Sequence, residues 1–205
     1  MSARSPLGWL LWSLLVVALV AVAAAAAVQW LRRPAAPPVL GRVPEFSLTN
    51  RDGSAVRRED LAGAPWIANF VFTRCNGSCP LMSLRMQRLD RELPPDIGVR
   101  LVSITVDPDY DTPRILQAYA DSFSAPGRWL FLTGGKEEVY GLIQRGFKLA
   151  LDPSPPPGTA SADEPIIHST RFVLVDGRGQ IRGYYGAFDE EAMEKLAQDL
   201  RAISD

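Results

Sequence analysis

The sequence predicts an α/β domain, a mixed sheet flanked by helices, preceded by one transmembrane helix. Three observations carry this. Continuous apolar runs at residues 66–73, 99–106 and 129–133 read as buried strands, and segments with helical spacing follow each of them. Near the C-terminal end, Asp176-Gly177-Arg178-Gly179 separates two short β-patterned runs, as in a hairpin. Residues 9–28 carry no charge and a single hydroxyl, Ser13.

That last stretch has the length of about 20 residues that a helix needs to cross a bilayer. Trp9, Trp12 and Trp30 lie near its ends, where amphipathic rings favour the headgroup level, and Arg4, Arg32 and Arg33 flank it. A cleavable signal peptide is the rival reading, with residues 23–27 supplying small side chains for cleavage. Its apolar region normally runs only about 7–15 residues, which favours an anchor over residues 1–33. A Pro-rich spacer, 34–40, follows, and its prolines make it extended and fairly stiff. The remaining 41–205 form one domain. The chain has a net charge of −1, and residues 1–40 hold three arginines and no acid, so the domain itself carries −4. Anionic headgroups do not attract such a surface. Charges of both signs are interspersed, with no basic stripe of the kind that nucleic-acid binding requires, so no nucleic-acid partner is expected.

Within the domain, Phe46-Ser47-Leu48-Thr49 alternates as a strand and Asp52-Gly53 marks a turn. The buried run 66–73 leads directly to Cys75 and Cys79. Pro80 suits a helix's first turn, Leu81, Leu84, Met86, Leu89 and Leu93 recur with helical spacing, and Pro94-Pro95 stops them. The strand at 99–106 precedes Asp111-Thr112-Pro113, which starts a helix reaching about Phe123. The strand at 129–133 leads to a helix over 137–145. A Pro/Ser/Asp-rich loop, expected to be mobile, then occupies 151–165. Strands at 171–175 and 180–185 make the hairpin, and a helix over 190–202 closes the chain. A mostly parallel sheet thus ends in an antiparallel pair. A βαβ half followed by a ββα half is the thioredoxin-like arrangement.

The chain has two cysteines, in Cys75-Asn76-Gly77-Ser78-Cys79-Pro80, and one histidine, His168. Residues four apart on a helix face the same side with Cβ atoms about 5–6 Å apart. A helix N-terminus lowers a thiol's pKa and favours the thiolate, which attacks disulfides and binds soft metals. A structural disulfide is the plain alternative, but so short a loop constrains an unfolded chain little. His168 lies just before the strand at 171. In a thioredoxin-like fold that loop faces the helix carrying the cysteines. Two thiolates and an imidazole make a soft set suited to Cu(I) and, with one more ligand, to Cu(II). Zinc would want a fourth ligand, and the sequence holds no further Cys or His. Asp107 in Asp107-Pro108-Asp109 reads as a turn residue, though it lies near enough to tune the thiols or meet a partner. Asp111 reads as a cap or turn residue, and Trp66 and Phe70 as core.

From about Pro44 onward the chain resembles the Sco/SenC copper chaperones of cytochrome oxidase assembly. The resemblance rests on Phe70-Val71-Phe72-Thr73-Arg74-Cys75 with Cys79-Pro80, Ser103-Ile104-Thr105-Val106-Asp107-Pro108, Asp111-Thr112-Pro113, Tyr119-Ala120, Gly146-Phe147 and His168-Ser169-Thr170. It implies copper on Cys75, Cys79 and His168, and an N-terminal membrane helix with the domain in the periplasm or mitochondrial intermembrane space. Two positions depart from the family's usual pattern. Asn76 stands where many members carry proline after the first cysteine. Ile167 stands where many carry Asp, so no carboxylate precedes the imidazole.

The resulting expectation is a membrane-anchored metallochaperone that passes copper by ligand exchange to the copper-centre subunit of an oxidase or to another copper protein. The alternative is a tethered thiol-disulfide oxidoreductase in which Cys75 and Cys79 attack and resolve. Against it, thioredoxin-type reductases carry Cys-x-x-Cys and a cis-proline opposite, whereas Ser169-Thr170 occupy that neighbourhood here. A sensor without turnover is a third reading. Each of these chemistries belongs outside the reducing cytosol, which places the domain on the periplasmic side of a bacterial inner membrane behind a single-pass helix.

Overall fold

The computed structural model describes residues 6–31, 35–93, 98–152 and 166–204. It divides into two units, Met1–Ala35 and Ala36–Asp205. In the first, helix α1 (Pro6–Leu31) has no acidic residue in its first turn and no basic residue in its last. At about 1.5 Å per residue it is long enough, and it is apolar enough, to cross a membrane. Ser13 donates its hydroxyl hydrogen to the Trp9 carbonyl at 2.8 Å, so its one polar group is satisfied inside the helix. Arg4, Arg32 and Arg33 lie outside the described residues.

The second unit begins with β1 (Gly41–Arg42), β2 (Ser47–Asn50), β3 (Ala55–Arg57) and a 3-10 turn at Arg58–Leu61. The central elements are β4 (Trp66–Val71), α2 (Ser78–Glu92), β5 (Arg100–Thr105), α3 (Pro113–Ser122) and β6 (Trp129–Thr133). Next come α4 (Lys136–Gly141), a π-helical turn at Leu142–Gly146, and two short strands, β7 (Leu151–Asp152) and β8 (Ile167–His168). The hairpin β9 (Arg171–Val175) and β10 (Gln180–Gly186) precedes α5 (Glu190–Ser204). The strand order is β1-β10-β9-β4-β5-β6-β2-β3, with β7 and β8 paired apart from this sheet.

Every residue of β4 is buried because both faces of the sheet are covered. Side chains alternate across a strand. Trp66, Ala68 and Phe70 therefore enter one core with Val102 and Ile104, while Ile67 enters the other with Leu101, Trp129 and Phe131. Helices α2, α3 and α5 cover the second face through Met82, Met86, Leu116, Leu196 and Leu200. Val139, Leu142, Ile143 and Phe147 cover the first, and Phe147 meets Phe70 edge-on at 5.1 Å. The core placement of Trp66 and Phe70 agrees with the sequence reading.

Four finer expectations need correction. The sheet is mixed, as expected, but it is not mostly parallel. Only β4–β5 and β5–β6 run parallel, because the β2–β3 hairpin adds an antiparallel edge beside β6. The expected helix over 137–145 is an α-helix that widens into the π turn. The apolar stripe of α2 is also rotated. Its buried face is Cys79, Met82, Ser83, Met86 and Leu89, whereas Leu81 and Leu84 are 54% and 50% exposed. The expected loop over 151–165 begins as β7, and its residues 153–165 lie outside the described residues.

The rotated stripe is testable. Met86→Ala, which empties a fully buried position, is expected to cost about 2–5 kcal/mol in urea unfolding. Leu84→Ala is expected to change stability by only about 0.5 kcal/mol.

At the hairpin turn the Asp176 carboxylate accepts the Arg178 and Gln180 N–H groups, each at 2.9 Å, and Gly179 takes the left-handed φ of 75° that only glycine adopts freely. Arg182 of β10 donates through Nε to the Pro37 carbonyl at 2.9 Å, and Leu40 N–H reaches the Ile181 carbonyl at 2.8 Å. The end of the spacer therefore lies along β10.

Candidate metal centre

The buried strand β4 ends at Val71, and a turn closed by Cys75 N–H on the Phe72 carbonyl at 3.3 Å delivers the first cysteine. Cys75 lies before α2, not on it. Gly77 occupies the N-cap position and has no side chain to satisfy the helix's first N–H groups. The Cys75 sulfur does this instead, accepting the Cys79 N–H at 3.4 Å. Cys79, in the helix's first turn, is 0% exposed and Cys75 is 3% exposed, and both are thiols.

His168 arrives from the other side. Its strand β8 pairs with β7, with His168 opposite Leu151 and Ile167 opposite Asp152. The His168 Nε2 lies 3.3 Å from the Cys79 sulfur and Nδ1 lies 3.2 Å from the Ser169 carbonyl oxygen. A carbonyl only accepts, so a proton on Nδ1 is donated to Ser169 and leaves Nε2 able to ligate, whereas a proton on Nε2 faces the cysteine sulfurs. The Phe72 ring stands edge-on to the imidazole at 5.6 Å and limits its tilt. For donors about 2.3 Å (S) and 2.0 Å (N) from a shared ion, a 3.3 Å separation corresponds to an angle of roughly 100° at that ion. The pair thus fits adjacent ligand positions. Among the described residues no group of three such side chains is gathered closely enough to hold a metal as it stands.

The charge state favours a soft cation. The Cys75 thiol is lowered to about 4, chiefly by its hydrogen bond with the Cys79 side chain. Burial opposes this, while His168 and the N–H groups of Cys79 and Gly77 assist it. Beneath the pair, Ser83 and Tyr119 share a hydroxyl–hydroxyl bond of 2.9 Å, and burial pushes the Tyr119 phenol up, which keeps it neutral. Asp107 makes the expected turn, its carbonyl accepting Tyr110 N–H at 3.1 Å. Its carboxylate also accepts Arg74 Nε at 3.1 Å and Nη2 at 2.5 Å, and the Arg74 guanidinium lies 4.2 Å from the Tyr110 ring centre. Asp111 is not the helix cap. Thr112 holds that position, accepting Ile115 N–H, and Asp111 is wholly buried, where loss of hydration raises its pKa.

Two surface hollows of about 450 Å³ lie near the N-terminal ends of β4 and β5. One is lined by Arg58, Trp66 and Arg178, the other by Asp60, Arg100 and Arg128. Neither holds a thiol or an imidazole.

Fold and site together define a thioredoxin-like domain with two thiols and an imidazole converging at a strand-to-helix junction. The chain belongs to the SCO1/SenC family, whose model matches residues 39–205. The "SCO1 protein homolog" of Bacillus subtilis is 31% identical over 170 residues, covering 82% of this chain and 85% of that protein. The structure of BsSco, described with a disulfide switch and as a member of the Sco family of cytochrome c oxidase assembly proteins, superposes with a TM-score of 0.71. It is 30% identical and covers 84% of this chain and 98% of its own. ScoI of Bradyrhizobium japonicum, solved with copper bound, is 26% identical with a TM-score of 0.64, covering 77% and 98%.

Proposed function

We propose that this protein is a membrane-anchored copper metallochaperone that carries one copper ion on Cys75, Cys79 and His168. It delivers the ion by ligand exchange to the copper-centre subunit of a cytochrome oxidase. The observation that carries this is the 3.3 Å approach of His168 Nε2 to the Cys79 sulfur, with Cys75 tied to the Cys79 N–H. Two sulfurs and an imidazole match the preferences of Cu(I), and a nitrogen donor extends the set to Cu(II). Copper bound in solved relatives supports the same cargo. In this reading α1 spans a bacterial inner membrane once, and the domain faces the periplasm, where thiol chemistry escapes the reducing cytosol.

The lowered Cys75 thiol favours a second reaction at the same pair. The Cys75 thiolate attacks a disulfide sulfur of a client and releases the client's other sulfur as thiolate. Cys79 then displaces the client from the mixed disulfide, leaving Cys75–Cys79 oxidised and the client dithiol reduced. An oxidised pair has no thiolate left for copper, so the thiol state gates the metal state.

Metal analysis of the reduced chain, its Cys75→Ala variant and its His168→Ala variant separates these readings. The reduced wild type is expected to bind about one copper. His168→Ala is expected to weaken Cu(II) binding by at least about tenfold while leaving exchange with a test disulfide within about twofold. Unchanged stoichiometry, affinity and spectrum in His168→Ala would remove the third ligand and leave the reductase reading in the lead.

A further inference from the structure

Asp111 has no part in the site as described so far, yet it is wholly buried beside it. The motif Asp111-Thr112-Pro113 suggests a helix start, but Thr112 does the capping, so the Asp111 carboxylate is not used there. Its partners lie elsewhere. Oδ1 accepts the Thr73 hydroxyl hydrogen at 2.5 Å, and Oδ2 accepts the Thr73 N–H at 3.2 Å and the Thr105 hydroxyl hydrogen at 2.6 Å. The Thr105 oxygen in turn accepts Asp107 N–H at 2.9 Å, and Asp111 N–H closes on the Asp107 carbonyl at 2.9 Å.

A buried carboxylate is costly unless its oxygens are occupied, and here three donors occupy them. An apolar residue in its place would leave these three buried donors without an acceptor. What an apolar residue cannot do is hold Thr73 by both its N–H and its hydroxyl, two positions before Cys75. The next residue, Arg74, is held by the same 107–111 loop through Asp107 and the Tyr110 ring. Cys75 is thus the first side chain beyond a doubly gripped segment, and its sulfur must be placed to meet both the Cys79 N–H and an ion shared with His168.

We propose that Asp111 is the positioning residue of the thiol centre, acting through Thr73 to set where the Cys75 sulfur stands. This deepens the metal-ligand reading of Cys75 and rests on it. Asp111→Asn keeps the shape but turns an amide N–H₂ toward groups that are themselves donors, so part of the grip on Thr73 is lost.

The test uses the reduced full-length chain in detergent, titrated with Cu(II) against a competing chelator, with thermal unfolding of the metal-free chain as the fold control. Asp111→Asn is expected to retain one copper per chain, to lose about tenfold in Cu(II) affinity, and to shift the thiolate-to-copper absorption band and the EPR hyperfine splitting. Thr73→Ser, which keeps both donors, is expected to match wild type, and Thr73→Val to move in the direction of Asp111→Asn. Wild-type affinity and spectrum in a folded Asp111→Asn chain overturn the proposal. Where that variant does not fold, the same result for Thr73→Val overturns it. Cys75→Ala separates the two layers. Retained copper there refutes the ligand reading itself, whereas lost copper there with an unaltered Asp111→Asn refutes only the positioning role.

Discussion

Cys75→Ala is expected to lower copper affinity by well over a hundredfold, more than the 10–100-fold typical of losing an outer partner, because it deletes one of only two sulfur donors. Loss of the sulfur that accepts the Cys79 N–H, where Gly77 offers no side chain, should by itself cost about 0.5–2 kcal/mol of stability in the metal-free chain. Cys75→Ser separates the two losses. A hydroxyl oxygen still accepts that N–H but is a hard, protonated donor that Cu(I) disfavours. Serine is therefore expected to lose copper nearly as fully as alanine while staying more stable than alanine by about 0.5–2 kcal/mol, with both below wild type at neutral pH because neither carries the thiolate's charge. Copper titration beside urea unfolding of both variants checks this. Equal stability of the alanine and serine chains would refute the capping role.

The second large effect is in pH dependence. With its folded pKa at about 4, Cys75 is a thiolate across the neutral range, whereas in the unfolded chain it titrates near the ordinary value of about 8.5. Between these two values the unfolded state binds the extra proton, so stability rises with pH through this window. The contribution is full above about 8.5 and is lost as pH falls toward 4. The metal-free, reduced wild type is expected to show this slope in urea midpoints, and Cys75→Ser to lack most of it. Thiolate ultraviolet absorbance gives the site itself: at pH 6 the folded chain should show about one thiolate, which vanishes in Cys75→Ser. A wild-type chain without thiolate absorbance at pH 6 would refute the depressed thiol.

The cysteine loop was the most legible part of the site. A charge-free β run followed within a few residues by Cys75, Cys79 and Pro80 has few structural solutions other than a strand feeding a helix. His168 was legible through its place before β9, although the ribbon that carries it was not, because two-residue strands leave no periodic pattern. Asp111 was read only in part: its N–H closes a turn on Asp107, but its carboxylate does not cap α3, although its local sequence resembles a cap. Its actual partners, Thr73 and Thr105, are joined to it by tertiary folding, and Thr73 lies 38 residues away. The phase of α2 was misread for a related reason. Leucines dominate its apolar count, yet the residues turned inward include Cys79 and Ser83, and Leu81 and Leu84 face outward. The β2–β3 edge escaped the count of parallel strands because nothing in the local pattern of residues 47–57 says which neighbour they pair with.

The sulfur that caps α2 also bears on reduction potential. A thiolate is a charged acceptor for the Cys79 N–H, whereas a sulfur in a Cys75–Cys79 bridge is neutral and accepts weakly. Whatever the cap contributes to the reduced domain is therefore withdrawn on oxidation, and it raises the potential of the pair by about 30 mV for each 1.4 kcal/mol. The lowered pKa of the Cys75 thiol acts in the same direction. The first turn of one helix thus biases the domain toward the dithiol form, the only form that can take up copper.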